Sequence, residues 1–280
     1  MMPDTRLRLT KHHGAGNDFL VLADAAGRRP VSAAEARALC HRRLGVGADG
    51  LLRAVPGAGG ADLAMELRNA DGGEAEMSGN GIRCLVQAAV TAGWVEPGAV
   101  SVDTAAGRRV VHYRAGQGAG PAFARVAMGH PVLGEELMVE APTVLRPART
   151  VGMGNPHVVV LVSSRPHDDL VNGLGPRLER AVPDGANVEF LWQGPGPGEL
   201  SMRVWERGVG ETLACGTGTC AAVAAARQWG LVDTRVEVHN PGGTLEVELT
   251  DDGAVLGGPT VMVASIEIEE SALARMASTS

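Results

Sequence analysis

The chain has 280 residues and a formal net charge of −7, a balance that argues against non-specific binding to nucleic acid or to a membrane surface. The opening residues, MMPDTRLRLTKHH, lack the apolar segment of a secretory signal, and no apolar run approaches the length of a membrane span. Four cysteines in a chain of this size do not suggest a disulfide framework, so we expect a cytoplasmic protein.

In the first half, short apolar runs separated by glycine, proline and asparagine predict β-strands near residues 7–9, 19–22, 64–67, 100–103 and 110–113. Ser32 and Glu35 form a capping-box pattern, which predicts a helix over 33–43. A longer helix is predicted over 79–92. It is apolar on nearly all faces, so we expect it to be buried within its domain.

The second half repeats this style, with strands predicted near 158–162, 188–191, 202–205, 236–239 and 245–249 and a second apolar helix over 216–229. The segment 116–121 is the expected crossing between the halves, and GPGPG at 194–198 is expected to be a hairpin loop. The tail after about Ile266 is expected either to return to the first half or to fray. Three cysteines are expected in the core, namely Cys40, Cys84 and Cys220.

An internal repeat relates the two halves. When Ser78 is aligned with Cys215, at an offset of 137 residues, Gly79 falls on Gly216 and Gly81 on Gly218. GAGND at 14–18 also matches GMGNP at 152–156. This period is too long for a solenoid and indicates a duplicated domain. We therefore expect an α/β (α+β) fold of two pseudo-symmetric domains, each a curled sheet around a central helix, over residues 1–120 (with 264–280 as a candidate completion) and 121–263.

Each predicted central helix begins at a glycine-rich turn that carries a candidate acid/base residue. A thiol at the start of a helix faces unpaired backbone N–H groups and the positive end of the helix dipole, so we expect the pKa of Cys215 to lie below about 8.5. Such a turn also suits a bound carboxylate or phosphate. Ser78 alone would be an ordinary N-cap. The repeat instead favours two acid/base groups, Ser78 and Cys215, that approach one substrate from opposite sides.

Other polar residues surround these turns. Glu206 and Arg207 could form a surface ion pair, but an arginine that binds a carboxylate is chemically sensible so close to Cys215. His157 precedes a strand and could be a turn or core histidine. Five asparagines lie in or beside turns and suggest a pocket lined with amides: Asn17, Asn69, Asn80, Asn155 and Asn187. The spacing of Cys215 and Cys220 does not suggest a zinc site, and we expect no metal and no cofactor.

Seven motifs in this order resemble those of the diaminopimelate epimerases, cofactor-independent isomerases of lysine and peptidoglycan synthesis: HGAGNDF (13–19), GADG (47–50), RNADGGEAEM (68–77), GNGIRC (79–84), MGNPH (153–157), PDGANVEF (183–190) and ERGVGETLACGTG (206–218). The resemblance implies an active site in the cleft between the two domains, and a homodimer. The expected partner is a small amino-acid substrate rather than a nucleic acid or a membrane.

The resemblance also implies roles for individual residues. Gly79 and Asn80 at one helix, with Gly216 and Thr217 at the other, would hold the substrate α-carboxylate. Four asparagines would hydrogen-bond the substrate: Asn17, Asn69, Asn155 and Asn187. Glu206 and Arg207 would contact the ammonium and carboxylate of the distal, non-reacting centre. His157 would help to position the reacting end, with Glu206 alongside it.

The chain departs from the family pattern at Ser78, where MSGNG stands in place of MCGNG. A hydroxyl is a far weaker acid than a thiol, whose ordinary pKa is about 8.5. Three explanations stay open: a substitution that traps one state, a natural variant with another substrate or a slower rate, and a degenerate homologue.

The resulting expectation is a pyridoxal-independent epimerase that interconverts LL- and meso-2,6-diaminopimelate by removing and returning a proton at Cα, with reduced activity because of Ser78. One alternative is a related racemase for another amino acid, against which Glu206 and Arg207 argue because they suit a zwitterionic distal end. The other is a non-catalytic amino-acid-binding homologue.

Overall fold

A computed structural model describes residues 6–118 and 120–278. These residues form two compact units. Unit 1 comprises the described residues up to Gly14, Asp18–Ala124 and those from Pro259 onward, and unit 2 comprises Ala15–Asn17 and Arg125–Gly258. Within the described residues, no helix is both long enough and apolar enough to cross a membrane.

Unit 1 contains one sheet and three helices. Its strands follow the order β16-β1-β2-β3-β4-β5-β6-β7. The strands are β1 (Arg6–Gly14), β2 (Asn17–Ala23), β3 (Gly50–Pro56), β4 (Leu63–Asn69), β5 (Gly98–Thr104), β6 (Gly107–Arg114) and parts of β7 (Ala122–Gly129) and β16 (Gly253–Glu269). The helices are α1 (Ala33–Cys40), α2 (Gly79–Thr91) and α5 (Glu270–Ser278).

Unit 2 repeats this arrangement with two helices. Its strands follow the order β16-β15-β14-β12-β11-β10-β9-β8, and the short strand β13 pairs with β12. The strands are β8 (Val132–Leu137), β9 (Ala148–Gly152), β10 (Pro156–Leu161), β11 (Asn187–Gln193), β12 (Leu200–Glu206), β13 (Gly210–Thr212), β14 (Arg235–Asn240), β15 (Gly243–Thr250) and the remaining parts of β7 and β16. The helices are α3 (Asp168–Glu179) and α4 (Gly216–Gln228).

The strand pairings confirm the duplication. In unit 1, β2 is parallel to β3, β3 antiparallel to β4, β4 parallel to β5 and β5 antiparallel to β6. Unit 2 has the same succession for β10, β11, β12, β14 and β15. The helices fall at matching places, since α1 and α3 follow the first strand of each series and α2 and α4 follow the third. The two halves are therefore copies of one α/β plan.

The two predicted central helices are confirmed. Every residue of α2 from Gly79 to Ala89 is buried, as is every residue of α4 from Gly216 to Ala226. The small side chains of α4 allow strands to pack closely around it. The predicted hairpin loop at 194–198 joins the antiparallel strands β11 and β12, and the cysteines assigned to the core are all buried.

Other elements differ from expectation. The capping box at Ser32 is present, but α1 ends at Cys40 rather than residue 43 because His41 adopts an extended conformation. Neither α3 nor α5 was predicted. Helix α5 carries the end of the chain back to unit 1, where Leu273 is buried in the core beside α1.

Candidate functional site

Ser78 and Cys215 occupy the same position in the two units, as N-cap residues of α2 and α4. Their backbone angles nearly coincide, at φ −139° and ψ 120° for Ser78 and φ −121° and ψ 118° for Cys215. Each backbone carbonyl accepts the first helical hydrogen bond at 2.9 Å, from Ile82 N and Thr219 N respectively. The two candidate acid/base residues, which the sequence repeat aligns, therefore have the same local backbone structure.

The side chains at these two positions are used differently. Ser78 is half-buried, and its Oγ accepts a hydrogen bond of 3.0 Å from Gly81 N, so the hydroxyl caps the helix. The Cys215 side chain makes no such capping bond. Its Sγ lies 3.5 Å from Thr217 Oγ1.

Burial controls the acidity of Cys215. Only 7% of the residue is exposed, and burial, followed by the charges of Glu206 and Glu189, raises the pKa of its thiol well above its ordinary value. The Thr217 hydroxyl and the Gly218 amide act in the opposite direction but do not outweigh these effects. The expectation of a lowered pKa was wrong, because the free-energy cost of removing the thiolate from water exceeds the stabilisation that the start of the helix provides. These effects favour the protonated thiol in the substrate-free protein.

His157 is a buried residue with two defined partners. Its Nδ1 lies 2.8 Å from Glu189 Oε1 and its Nε2 lies 3.0 Å from Asn155 Oδ1. Asn155 Nδ2 in turn donates to Thr217 Oγ1 at 3.4 Å. His157 is therefore connected to the first turn of α4. We expected Glu206 alongside His157, but the carboxylate hydrogen-bonded to the ring belongs to Glu189.

Glu189 was missed in the sequence. Strand β11 places it between Val188 and Phe190, both fully buried, and Glu189 is itself 0% exposed. The parallel pairing aligns His157 with Asn187, two residues before Glu189 on the same strand face. A single carboxylate within an apolar strand was the available signal.

Glu206 and Arg207 lie at the end of β12, beside Asn187. The Asn187 side chain accepts a hydrogen bond from Arg207 N at 2.9 Å, and the Thr212 hydroxyl donates to Glu206 Oε1. The Arg207 side chain is exposed, donates to Asp184 O at 3.1 Å and borders an open pocket of about 770 Å³ lined by residues 179–185. Arg207 therefore lines a pocket that is open to solvent.

In unit 1, the Asn80 side chain accepts a hydrogen bond from a buried arginine, Arg83. Asn80 is 1% exposed, and its Oδ1 accepts from Arg83 Nη2 at 2.8 Å, while Arg83 Nη1 donates to Gly79 O at 2.9 Å. The Oδ1 of Asn80 is therefore occupied, while its backbone N–H lies in the first turn of α2. Asn69 is exposed at the end of β4, and Asn17 is half-buried and grouped with unit 2.

Some motif residues stabilise the fold. In the GADG motif, Asp49 accepts from Arg42 at 2.7 Å, and the same guanidinium contacts Asp18 of the HGAGNDF motif at 2.7 Å. Lys11 adds a contact of 2.9 Å to Asp18. These charges connect the motifs to one another within unit 1.

One group of three side chains in the described residues could bring metal-ligating atoms together. Glu199, Glu237 and His239 have such atoms within 4.8 Å of one another. His239 Nε2 lies 2.6 Å from Glu199 Oε2, so a hydrogen bond between these two side chains is a sufficient explanation.

Sequence comparisons agree with these motifs. The profile of the family described as Diaminopimelate epimerase matches residues 9–134 and 149–263. A protein named diaminopimelate epimerase from Desulfitobacterium hafniense is 38% identical over 289 residues, covering 95% of this chain and 100% of its own length. One of the same name from Streptomyces coelicolor is 40% identical, covering 95% of this chain and 97% of its own.

Solved structures share the fold at low identity. A hydroxyproline epimerase from Agrobacterium vitis superposes with a TM-score of 0.73 at 17% identity, covering 96% of this chain and 94% of that one. A probable proline racemase from Agrobacterium radiobacter gives 0.72 at 18% identity, covering 93% and 92% respectively. The family profile and the relatives that match nearly end to end lead to one assignment. The chain belongs to the diaminopimelate epimerase family.

Proposed function

We propose that this protein is a diaminopimelate epimerase that interconverts the LL and meso stereoisomers of 2,6-diaminopimelate. The observation that carries the proposal is the matched pair of N-cap positions, Ser78 on α2 and Cys215 on α4. Family membership supports the substrate and the isomerase class, because the relatives that match nearly end to end bear this name.

Backbone N–H groups at the two helix starts would hold the α-carboxylate of the reacting centre. Gly79 and Asn80 open α2, and Gly216 and Thr217 open α4. The first N–H groups of a helix have no acceptor within it, and the helix dipole favours negative charge there. The hydrogen on Cα is a very weak acid, so these groups must also stabilise the charge that develops as it leaves.

Proton transfer would use Cys215 on one face of the carbon and Ser78 on the other, which inverts the centre. Cys215 must become a thiolate to remove a proton. Glu206 is one of the charges that raise the pKa of this thiol. A substrate ammonium placed against Glu206 would cancel that charge and so favour the thiolate when substrate is bound.

Contacts beyond the reacting carbon would select a substrate with two amino-acid ends. Glu206 and the exposed Arg207 would bind the ammonium and carboxylate of the distal end. His157 would position the reacting end. Four asparagines would supply further hydrogen bonds: Asn17, Asn69, Asn155 and Asn187.

Three broader statements belong to the same proposal: a place in lysine and peptidoglycan precursor synthesis, a homodimer and a cytoplasmic location. A total of four cysteines, which does not suggest a disulfide framework, supports a reducing compartment. Light scattering during size-exclusion chromatography tests the dimer, and a monomeric mass would contradict it.

The direct test is incubation with LL-diaminopimelate and chiral analysis for the meso product. We expect slow formation of meso product by the parent and none by Cys215→Ala. A panel of other amino acids serves as the comparison. Racemisation of one of these in preference to diaminopimelate would favour the related racemase, while binding with no exchange at Cα would favour the binding homologue.

A further inference from the structure

A line of side chains in unit 2 connects a buried carboxylate to the candidate acid/base thiol. We propose that Glu189 is a positioning residue, which fixes the His157 ring and thereby directs a hydrogen-bond chain that ends at Cys215. This inference rests on the role of Cys215 in the proposed function.

The chain of hydrogen bonds from Glu189 to Cys215 has four links. Glu189 Oε1 lies 2.8 Å from His157 Nδ1, and His157 Nε2 lies 3.0 Å from Asn155 Oδ1. Asn155 Nδ2 donates to Thr217 Oγ1 at 3.4 Å, and Thr217 Oγ1 lies 3.5 Å from Cys215 Sγ. The links span strands β10 and β11 and the start of α4.

The amide of Asn155 gives the chain a direction. Its oxygen can only accept, so His157 Nε2 donates to it. Its nitrogen donates to Thr217, so the threonine hydroxyl hydrogen is available for the sulfur of Cys215. A donor in that position stabilises a thiolate, and the Thr217 hydroxyl does act to lower the pKa of Cys215.

Glu189 is needed because the other ring nitrogen of His157 must also be held. A histidine is oriented by the partner of its second nitrogen. His157 is 1% exposed, so solvent cannot provide that partner. If the ring turned over, Nε2 would no longer face Asn155 and the direction of the chain would be lost.

Apart from the contact with His157, no interaction around Glu189 in the described part of the chain explains a charged side chain at this buried position. The residue is 0% exposed, and its Oε2 has no hydrogen-bond partner among the described residues. A buried carboxylate is costly unless it is paired, and its pair is His157. The first turn of α4 packs against it, since a Cβ at Gly218 would overlap Glu189 Oε1. The positive end of that helix favours the charge.

Two substitutions separate positioning from charge. Glu189→Asp keeps the charge but is one methylene shorter, so it weakens the bond to His157. Glu189→Gln keeps the length and a polar group but removes the negative charge. Because that charge raises the pKa of Cys215, its removal should lower this pKa. Iodoacetamide labelling of Cys215, followed by peptide mass spectrometry, reports thiolate formation in the whole protein without requiring turnover.

We expect Glu189→Asp to slow the labelling of Cys215 and Glu189→Gln to label at or above the parent rate. Thr217→Val removes the last donor and should slow labelling about tenfold. In the double variant Glu189→Asp/Thr217→Val, the first change should have no further effect. The matched control is Glu199→Asp, which shortens the Glu199–His239 pair in the same unit and should leave the labelling rate unchanged.

A parent-like labelling rate in Glu189→Asp would overturn the proposal, as would effects of Glu189→Asp and Thr217→Val that add in full. Exchange at Cα of diaminopimelate is measured alongside in the parent. Its absence would refute the proposed function, whereas the labelling rates would still decide the role of Glu189.

Discussion

Gly218 lies where α4 meets Glu189, and replacing it with alanine should disrupt the candidate site and the fold together. A Cβ there would overlap Glu189 Oε1 and would lie 3.1 Å from its Cδ and 3.2 Å from its Cγ. Glu189 is completely buried, so its side chain cannot move into solvent. It must leave His157, or the helix must shift.

The magnitude follows from two opposing terms. Separating Glu189 from His157 would leave two buried polar groups without their partner, which costs about 3–5 kcal/mol when the pair is ionised. Alanine is better than glycine within a helix by about 1 kcal/mol. Gly218→Ala should therefore lower the free energy of unfolding by about 2–4 kcal/mol.

Urea unfolding followed by circular dichroism measures this change. The matched control is Gly173→Ala in α3, where an added Cβ would meet no atom within 4 Å. That variant should be as stable as the parent or more stable by up to about 1 kcal/mol. A Gly218→Ala protein as stable as the parent would refute the packing argument.

Three further predictions concern charge. Burial raises the pKa of Asp24, but hydrogen bonds from the backbone of Arg29 and the guanidinium of Arg53 outweigh that effect and lower the pKa. The resulting stability is present above about pH 4 and is lost as pH falls through the lowered pKa. Asp24→Asn should therefore flatten the acid end of a plot of unfolding free energy against pH, and an unchanged slope would count against the Asp24–Arg53 pair. Arg207→Ala should weaken diaminopimelate binding by about 2–5 kcal/mol, seen as a higher KM or a weaker calorimetric Kd, and parent-like affinity would remove Arg207 from the site. Because burial raises the pKa of Cys215 well above its ordinary value, its alkylation in the substrate-free protein should keep rising above about pH 8.5, and a plateau below that pH would show that the helix terminus prevails.

The central helices and the duplication could be predicted because their signals are local. Small and apolar residues follow Ser78 and Cys215 in the same pattern, and the N-cap geometry follows from the turn itself. Helix α3 has weak local signals, since Pro176 lies inside it and its N-cap, His167, makes no side-chain capping bond. Burial of Val171 and Leu174 against the sheet stabilises it instead.

The site was only partly predictable because its electrostatics depend on the folded surroundings. The start of α4 favours a thiolate at Cys215, but the sequence cannot tell how deeply the sulfur is buried. Likewise, one glutamate in a strand usually faces solvent. Only the pairing of β10 with β11 shows that Glu189 meets His157. Asn80 also has a partner, Arg83, that its turn motif did not indicate.

Cys215 and Ser78 are proposed to serve opposite faces of one carbon, with Ser78 as the weaker partner. The most direct measurement compares Cα–H exchange with inversion in deuterated water, for the parent and for Ser78→Cys, with each stereoisomer of diaminopimelate. We expect the parent to exchange the hydrogen of one stereoisomer faster than it inverts the centre. Ser78→Cys should raise the rate of epimerisation by roughly 10²–10⁴-fold. Equal epimerisation rates in the two proteins would contradict this proposal.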